Sequence, residues 1–226
     1  MNFIKKYKHG FVIVTYAILY LFIFQYLEQR HVYSYHLIHC ALDDLIPFCE
    51  YFIVPYLLWF PYQVFVVAYF IFFNKNKREY YQLTLNLCMG MTVFLIVSWL
   101  YPNIQLLRPA VFADDNLFIR TVQHLYSIDT PTNILPSIHV FNSLAIHMSL
   151  TNCEALRDKK LVKAASFTLT SLIIMSTMFL KQHSVIDVCM GSTLALFGFL
   201  VFYPRKAAES SRAGYFSKAE RKKSEN

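Results

Sequence analysis

The chain has 226 residues, of which 56% are apolar, 17% aromatic and only 15% charged, and its formal charge is +7 at pH 7. Soluble domains carry roughly 25% charged residues, so this composition excludes an ordinary soluble protein and indicates an integral membrane protein. Basic residues orient membrane proteins in the bilayer, so we explain the positive charge by topology and expect no nucleic-acid partner.

Six apolar segments separated by polar turns predict an all-α bundle of six transmembrane helices. The segments run over residues 11–27, 51–73, 82–100, 137–150, 164–180 and 185–203. Pro55 and Pro61 interrupt the second segment, which leaves two alternatives: one long helix, or a re-entrant piece before a span that begins near Pro61. The bundle forms one domain over residues 1–203. A basic, Ser-rich tail at 204–226 is expected to be disordered or to lie on lipid head groups.

Lysine and arginine are divided unequally between the two sides of this layout. The side of the amino terminus, the turns at 75–78 and 157–163 and the tail holds 17 of the 21 basic residues. The other side holds Arg30, Arg108, Arg120 and Lys181. Because basic residues stay inside, both termini are predicted to be cytoplasmic. The starts of the fourth and sixth helices then face the extracytoplasmic side.

Residues 28–50, between the first two helices, contain three histidines and the acidic pair Asp43-Asp44. The histidines are separated by five and three residues, which does not match a helical His pair for zinc, and no further carboxylate completes a ligand set. We therefore predict no metal site here. The segment is interpreted as a surface or interfacial one.

His183 and Asp187 stand at the start of the sixth helix, four residues apart. Residues at this spacing share one helical face, so Asp187 can accept the Nδ1 proton of His183 and leave Nε2 as a nucleophile. Ser184 followed by Asp187 also fits a capping box, in which Asp187 would bind the helix amino terminus instead. The spacing alone leaves both interpretations open.

Three more polar residues are predicted on the same side of the membrane: Arg108, Ser137 and His139. Together with the pair His183 and Asp187 they suit phosphoryl transfer. His139 would act as general acid and then as general base, while Arg108 and Ser137 bind phosphate oxygens. Taken singly, His139 fits a buried polar contact and Arg108 fits an anchor for lipid phosphate. Their gathering on one face favours a catalytic site that uses neither metal nor cofactor.

Three short motifs resemble those of the type-2 phosphatidic acid phosphatase superfamily of membrane phosphatases and phosphotransferases. They are Arg108-Pro109, Pro136-Ser137-x-His139 and His183 with Asp187. The resemblance covers a core of about residues 101–203. It implies an enzyme of the plasma membrane that hydrolyses lipid phosphate or diphosphate esters at the extracytoplasmic face through a phosphohistidine. Its partner is the lipid substrate, and a homo-oligomer is left open.

Two positions depart from the family pattern. Tyr101 stands where the family has a lysine, and Thr177 stands where it has an arginine. Lys181 is the residue expected to replace one of these phosphate-binding cations. The branch that resembles inositol phosphorylceramide and sphingomyelin synthases relaxes both positions, and the stretch from Asp129 to Asn133 also resembles it. Three functions therefore stay open: lipid phosphatase, head-group phosphotransferase, or catalytically silent lipid-binding protein.

Overall fold

The computed structural model describes residues 6–112 and 114–203. Its helices are α1 (Gly10–Gln29), α2 (Ala41–Leu45), α3 (Ile53–Phe72), α4 (Lys77–Leu100), α5 (Leu117–Ile128), α6 (Ile138–Asn152), α7 (Lys160–Phe179) and α8 (Val185–Phe202), with 3-10 turns at Glu50–Phe52 and Glu154–Leu156. Two short strands, β1 (His36–Leu37) and β2 (Asn103–Ile104), pair in parallel. The predicted helical class is confirmed. The prediction for the tail at 204–226 lies outside the described residues.

Five helical segments are long and apolar enough to cross a membrane: Lys8–Gln29, Glu50–Phe72, Lys77–Leu100, Lys160–Phe179 and Val185–Phe202. Their outward faces carry large apolar side chains, such as Phe22 (72% exposed) and Phe65 (73% exposed). Such faces match a hydrocarbon solvent, in which the backbone must satisfy its own hydrogen bonds. The fourth predicted span is different: α6 has 15 residues and is about 22 Å long, less than the ~30 Å of a bilayer core.

Helix α6 lies at the centre of the bundle, in contact with α3, α4, α7 and α8. Glycines allow two of these neighbours to approach closely. A Cβ at Gly90 of α4 would lie 2.0 Å from the Phe141 ring, and one at Gly191 of α8 would lie 2.6 Å from the Ser137 carbonyl oxygen. A short helix suffices here because α6 is covered by protein over most of its length. This contact also fixes the start of α6 against the start of α8.

Helix α3 is continuous from Ile53 through Pro61 to Phe72, so the alternative of a re-entrant piece before Pro61 is wrong. Pro55 lies in the first turn, where a backbone N–H has no helical partner to lose. Pro61 is inside the helix and removes one hydrogen bond there. Membrane helices tolerate such a residue because neighbouring helices and local adjustment satisfy the freed carbonyl.

The helices alternate in direction and bring the chemically active residues to one end of the bundle. At this end Arg30, just after α1, donates a 2.6 Å hydrogen bond to the Ser98 carbonyl near the end of α4. At the opposite end Gln82, near the start of α4, donates a 2.8 Å hydrogen bond to the Phe202 carbonyl at the end of α8. The starts of α6 and α8 belong to the first end. We call it the site end; the connecting segments 30–52, 101–112, 114–137 and 180–184 cover it.

Candidate functional site

A histidine–carboxylate pair lies at the start of α8. His183 Nδ1 is 2.6 Å from Asp187 Oδ2, the side chain of Asp187 is fully buried, and His183 is 7% exposed. A carboxylate accepts only, so Nδ1 of His183 bears the hydrogen and Nε2 keeps its lone pair. The contact that the sequence suggests is therefore present, although His183 stands in the loop just before the N-cap Ser184 and only Asp187 is in the helix.

His139, in the first turn of α6, approaches the free nitrogen of His183. The distance from His139 Nδ1 to His183 Nε2 is 3.3 Å. Because Nε2 of His183 accepts, Nδ1 of His139 is the donor. The His139 ring is held by Tyr56 and Trp59 of α3, with ring centroids 4.8 and 4.1 Å away. Two residues that are 44 positions apart in the chain thus form one hydrogen-bonded unit with Asp187.

The capping alternative for this stretch holds only in part. Ser184 is the N-cap of α8, and its hydroxyl oxygen accepts a hydrogen bond from the Ile186 N–H at 3.2 Å. The carboxylate of Asp187 binds His183 and does not close a capping box. Ser184 therefore ends the loop and Asp187 orients the imidazole.

Asp43, in the short helix α2, binds the start of α8. Nothing in the sequence indicated this role. Its Oδ1 accepts from the Val185 N–H at 2.8 Å, and its Oδ2 accepts from the Ser184 hydroxyl at 2.6 Å and the Cys40 N–H at 2.8 Å. Burial raises the pKa of the Asp43 carboxyl, but these hydrogen bonds outweigh burial and leave the pKa below its ordinary value. Residues 40–46 of the segment that was predicted as a surface or interfacial one are thus docked on the loop 180–184 before α8, and Asp43 is only 2% exposed.

Lys181 is also bound to this docked segment. Its ammonium donates to the Asp43 carbonyl at 2.7 Å and to the Ile46 carbonyl, at the carboxyl end of α2. Cations are favoured at such carbonyl groups. The structure therefore does not bring the Lys181 ammonium to the two histidines, and its expected replacement of a phosphate-binding cation gains no geometric support.

Arg108 reaches the site through Gln182, the residue before His183. Its guanidinium donates to Gln182 Oε1 and, at 3.3 Å, to the Tyr126 carbonyl, and it lies 4.4 Å from the centre of the Tyr126 ring. Gln182 in turn donates a 3.2 Å hydrogen bond to Asp129 Oδ2. Burial lowers the pKa of Arg108, although the Asp129 carboxylate opposes this effect. Burial raises the pKa of Asp129, and the nearby positive charge of Arg108 opposes this rise.

Ser137 is fully buried and joins α6 to α8. Its hydroxyl oxygen accepts a 3.4 Å hydrogen bond from the Val140 N–H, and its own N–H donates to the Asp187 carbonyl at 3.2 Å. These contacts cap α6 and fix its start beside the histidine–carboxylate pair. Binding of phosphate by Ser137 stays a prediction.

A cavity of about 50 Å³ opens beside the two histidines, enough for a few water molecules. It is lined by Phe24, Phe94, Asp129, Thr130, Thr132, Asn133, Ile134, Ile138, His139, Gln182 and His183. One part of the wall is apolar, and another is made of hydrogen-bond acceptors and hydroxyls. The lining includes neither lysine nor arginine. We call this space the site cavity.

The two positions that depart from the family pattern have other partners. The Tyr101 ring stacks on His36, with centroids 4.0 Å apart. Thr177 is fully buried, and its carbonyl accepts from the backbone N–H groups of Gln182 and His183 at 2.9 and 3.0 Å. Both residues therefore support loops at the site end, and neither adds positive charge to the cavity.

Comparison with protein-family models, with curated proteins and with solved structures found no match for this chain. Over residues 6–112 and 114–203, no group of three or more His, Cys, Asp or Glu side chains is placed to hold a metal ion. The site must accordingly be interpreted from its own geometry.

Proposed function

We propose that this chain is an integral-membrane enzyme that cleaves lipid phosphate esters through a covalent phosphohistidine on His183. The observation that carries the proposal is the position of His183 between Asp187, 2.6 Å from Nδ1, and His139, 3.3 Å from Nε2. A nucleophile, a group that fixes its tautomer and a proton donor are the parts that covalent catalysis needs.

In the first step, the hydrogen bond between the two histidines opens, because His183 needs its Nε2 lone pair for attack. Nε2 bonds to phosphorus and the bond from phosphorus to the alcohol oxygen breaks. His139 enters this step as imidazolium, gives one proton to that oxygen and is left as neutral imidazole. Asp187 stabilises the resulting imidazolium. In the second step, His139 takes a proton from the acceptor, whose oxygen attacks phosphorus and releases His183.

The identity of the acceptor separates two enzyme classes within this mechanism. Water as acceptor gives a lipid phosphatase, and an alcohol gives a head-group phosphotransferase. The phosphotransferase is kept as a second candidate because hydrogen-bond acceptors line part of the site cavity next to His139 and His183. An alcohol can donate to such groups while it is oriented for attack.

The proposal includes a placement in the plasma membrane. We infer six spans, with α6 as a short central one, cytoplasmic termini and a site at the extracytoplasmic face. The support is electrostatic: 17 of the 21 basic residues belong to the two terminal segments and to the turns at 75–78 and 157–163, and these two turns lie at the end opposite the site end. Basic loops stay on the cytoplasmic side.

The test is the formation of the phosphoenzyme by purified protein in liposomes with ³²P-labelled lipid phosphates. Wild-type protein is expected to turn them over through an acid-labile, alkali-stable phosphohistidine. His183→Ala should abolish both label and turnover, and His139→Ala should lower turnover, because formation of the intermediate loses its acid and breakdown loses its base. His124→Ala, at an exposed position on α5, is the matched control. A His183→Ala protein with normal turnover would overturn the mechanism.

A further inference from the structure

We propose that a groove between α3 and α7 binds an anionic phospholipid of the surrounding bilayer, with an acyl chain in the groove and the head group on Arg157, Lys159 and Lys163. The groove has a volume of about 450 Å³, within the range of roughly 300–1,000 Å³ that is usual for small-molecule sites. It lies at the end of the bundle opposite the site end, so lipid binding there does not depend on the chemistry of the two histidines. We call it the α3–α7 groove.

The lining of the α3–α7 groove suits a hydrocarbon chain. Most of it is apolar and includes Phe65, Val66, Leu150, Leu156, Val162 and Leu169. The buried polar groups of the wall are paired with one another. The Tyr62 hydroxyl lies 2.7 Å from Ser166 Oγ, and His147 Nδ1 lies 2.8 Å from the same oxygen. Because these groups satisfy one another, a ligand in the groove meets apolar surface, which an acyl chain covers without loss of hydrogen bonds.

The α3–α7 groove opens on the outer surface of the bundle. Phe65 is 73% exposed and Val162 is 41% exposed, whereas Val66 is buried. The lining positions on α3 run from Tyr62 to Tyr69, about 10 Å along the helix axis. This length is about two thirds of one leaflet of a ~30 Å bilayer core. A chain of a neighbouring lipid can therefore enter from the side and lie along α3 and α7.

The depth of the α3–α7 groove sets the position of the head group. Tyr69 is three residues before the end of α3 at Phe72, and Val162 is two residues after the start of α7 at Lys160. Both helices reach the end opposite the site end at these residues. A lipid whose chain lies in the groove consequently brings its head group to the turn between α6 and α7.

Basic side chains belong to this turn. It holds two acidic residues, Glu154 and Asp158, and four basic ones, Arg157, Lys159, Lys160 and Lys163. Arg157 directly follows Leu156 of the lining. Lys159, the N-cap of α7, precedes Val162 of the lining by three residues, the spacing of neighbours on one helical face. Lys160 precedes Val162 by two residues and therefore belongs to another face.

These cations have hydrogen-bond donors left for a phosphate. Arg157 and Lys159 are exposed, and within residues 6–112 and 114–203 their side chains form no ion pair. Lys163, next to Val162, donates one 2.8 Å hydrogen bond to the Arg157 carbonyl and, as an ammonium, keeps two more N–H donors. Basic pockets between membrane helices bind anionic head groups. Charge and lining together therefore favour an anionic phospholipid over a neutral one.

The experiment measures lipid binding to the full chain by native mass spectrometry. Phosphatidylglycerol, which is anionic, and phosphatidylcholine, which is neutral, are added with the same acyl chains to the protein in detergent. Phosphatidylglycerol is expected to bind more tightly, by about fivefold for each basic residue that contacts its head group. Lys159→Gln should lower this preference about fivefold. Lys160→Gln, the matched control at the neighbouring lysine, should leave it nearly unchanged.

A pair of tryptophan substitutions tests the position of the acyl chain. Ala165 lines the α3–α7 groove, so Ala165→Trp fills it and should weaken the binding of both lipids. Ala164→Trp places the same side chain at the preceding, exposed position of α7, outside the lining, and should leave binding unchanged. Thermal unfolding tells a filled groove from a misfolded protein. Lys159→Gln changes an exposed side chain, so its result stands even if Ala165→Trp does not fold.

Three other outcomes would overturn the proposal. Equal binding of the two lipids by wild-type protein would rule out an anionic ligand. A preference for phosphatidylglycerol that survives both Lys159→Gln and Ala165→Trp would place the lipid outside the α3–α7 groove. A dimer in the mass spectra that Ala165→Trp abolishes would show that the groove is a contact between two copies of the chain. None of these outcomes bears on the phosphohistidine mechanism.

Discussion

Removal of the Asp43 carboxylate should damage catalysis without touching any residue of the histidine unit. Asp43 binds the start of α8 through the Val185 N–H and the Ser184 hydroxyl, at 2.8 and 2.6 Å. Asp43→Ala leaves these two donors and the Cys40 N–H without their acceptor. The two donors of α8 alone, at about 1–3 kcal/mol each, predict a loss of stability of about 2–6 kcal/mol. His183 immediately precedes these donors, and displacement of a reacting group by about 1 Å can cost roughly 10²-fold in rate.

The assay combines thermal unfolding in detergent with steady-state kinetics on a lipid substrate. Asp43→Ala should lower the melting temperature and reduce kcat about 10²-fold, with a smaller change in KM. Asp43→Asn, which keeps one acceptor oxygen, should fall between Asp43→Ala and wild type. The control is Asp44→Ala: its side chain is 65% exposed and binds His39 at the surface, a pair worth about 0.2–1 kcal/mol. A kcat of Asp43→Ala within twofold of the Asp44→Ala value would refute the positioning role.

The pH dependence follows from the lowered pKa of Asp43. A carboxyl group whose pKa is lower in the folded state than in the unfolded state stabilises the fold fully at a pH above its unfolded-state pKa of about 3.9. It loses this stabilisation as the pH falls through its folded-state pKa. The stability deficit of Asp43→Asn relative to wild type should therefore be the same at pH 6 and pH 8, and should shrink only below about pH 4. Unfolding by denaturant across this range measures it. A deficit that grows toward acid pH would contradict the argument.

Three further variants test other contacts of the site. Asp187→Asn is expected to lower kcat by about 10⁴-fold, because the amide no longer fixes the tautomer of His183; steady-state kinetics measure this, and a loss below tenfold would contradict it. Arg108→Ala is expected to lower kcat/KM by about 10- to 150-fold, because Gln182, the residue before His183, loses a charged hydrogen bond worth about 1.5–3 kcal/mol. Arg120→Ala, which removes an exposed arginine paired with Asp115, should have little effect. Gly191→Ala should lower both turnover and melting temperature, because the new Cβ would lie 2.6 Å from the Ser137 carbonyl oxygen. Gly10→Ala is the control and should lower both less, because the nearest neighbour of its new Cβ is the Ile71 side chain at 3.1 Å.

Membrane character and local site chemistry could be predicted from the sequence because both are local properties. A surplus of apolar residues over some twenty positions is sufficient to indicate a membrane helix. The separation of four residues likewise indicated a contact between His183 and Asp187, which is present at 2.6 Å although His183 lies before the N-cap of α8. In helix α5 the buried residues Ile119, Val122 and Leu125 recur at the three-residue spacing of one helical face.

Helix packing and the loop contacts were decided by tertiary structure alone. The approach of His139 to His183 depends on α6 and α8 meeting at Gly191, a contact between segments far apart in the chain. Helix α6 can be shorter than a membrane span because it lies at the centre of the bundle. Helix α3 continues through Pro61, although proline is a sequence signal for the end or a kink of a helix. Periodicity describes one helix at a time and carries no information about which helix covers which.

Residues 40–46, docked on the loop 180–184, give the clearest contrast between what the sequence determines and what the tertiary structure decides. Asp43 and Asp44 are adjacent and chemically identical, yet Asp43 is 2% exposed and the side chain of Asp44 is 65% exposed. Lys181 was expected to face phosphate, but its ammonium is bound by the carbonyls of Asp43 and Ile46. The sequence by itself determined which chemical groups the site end holds. Only the tertiary structure decided their partners, because a side chain binds whatever the packed backbone brings within about 3 Å.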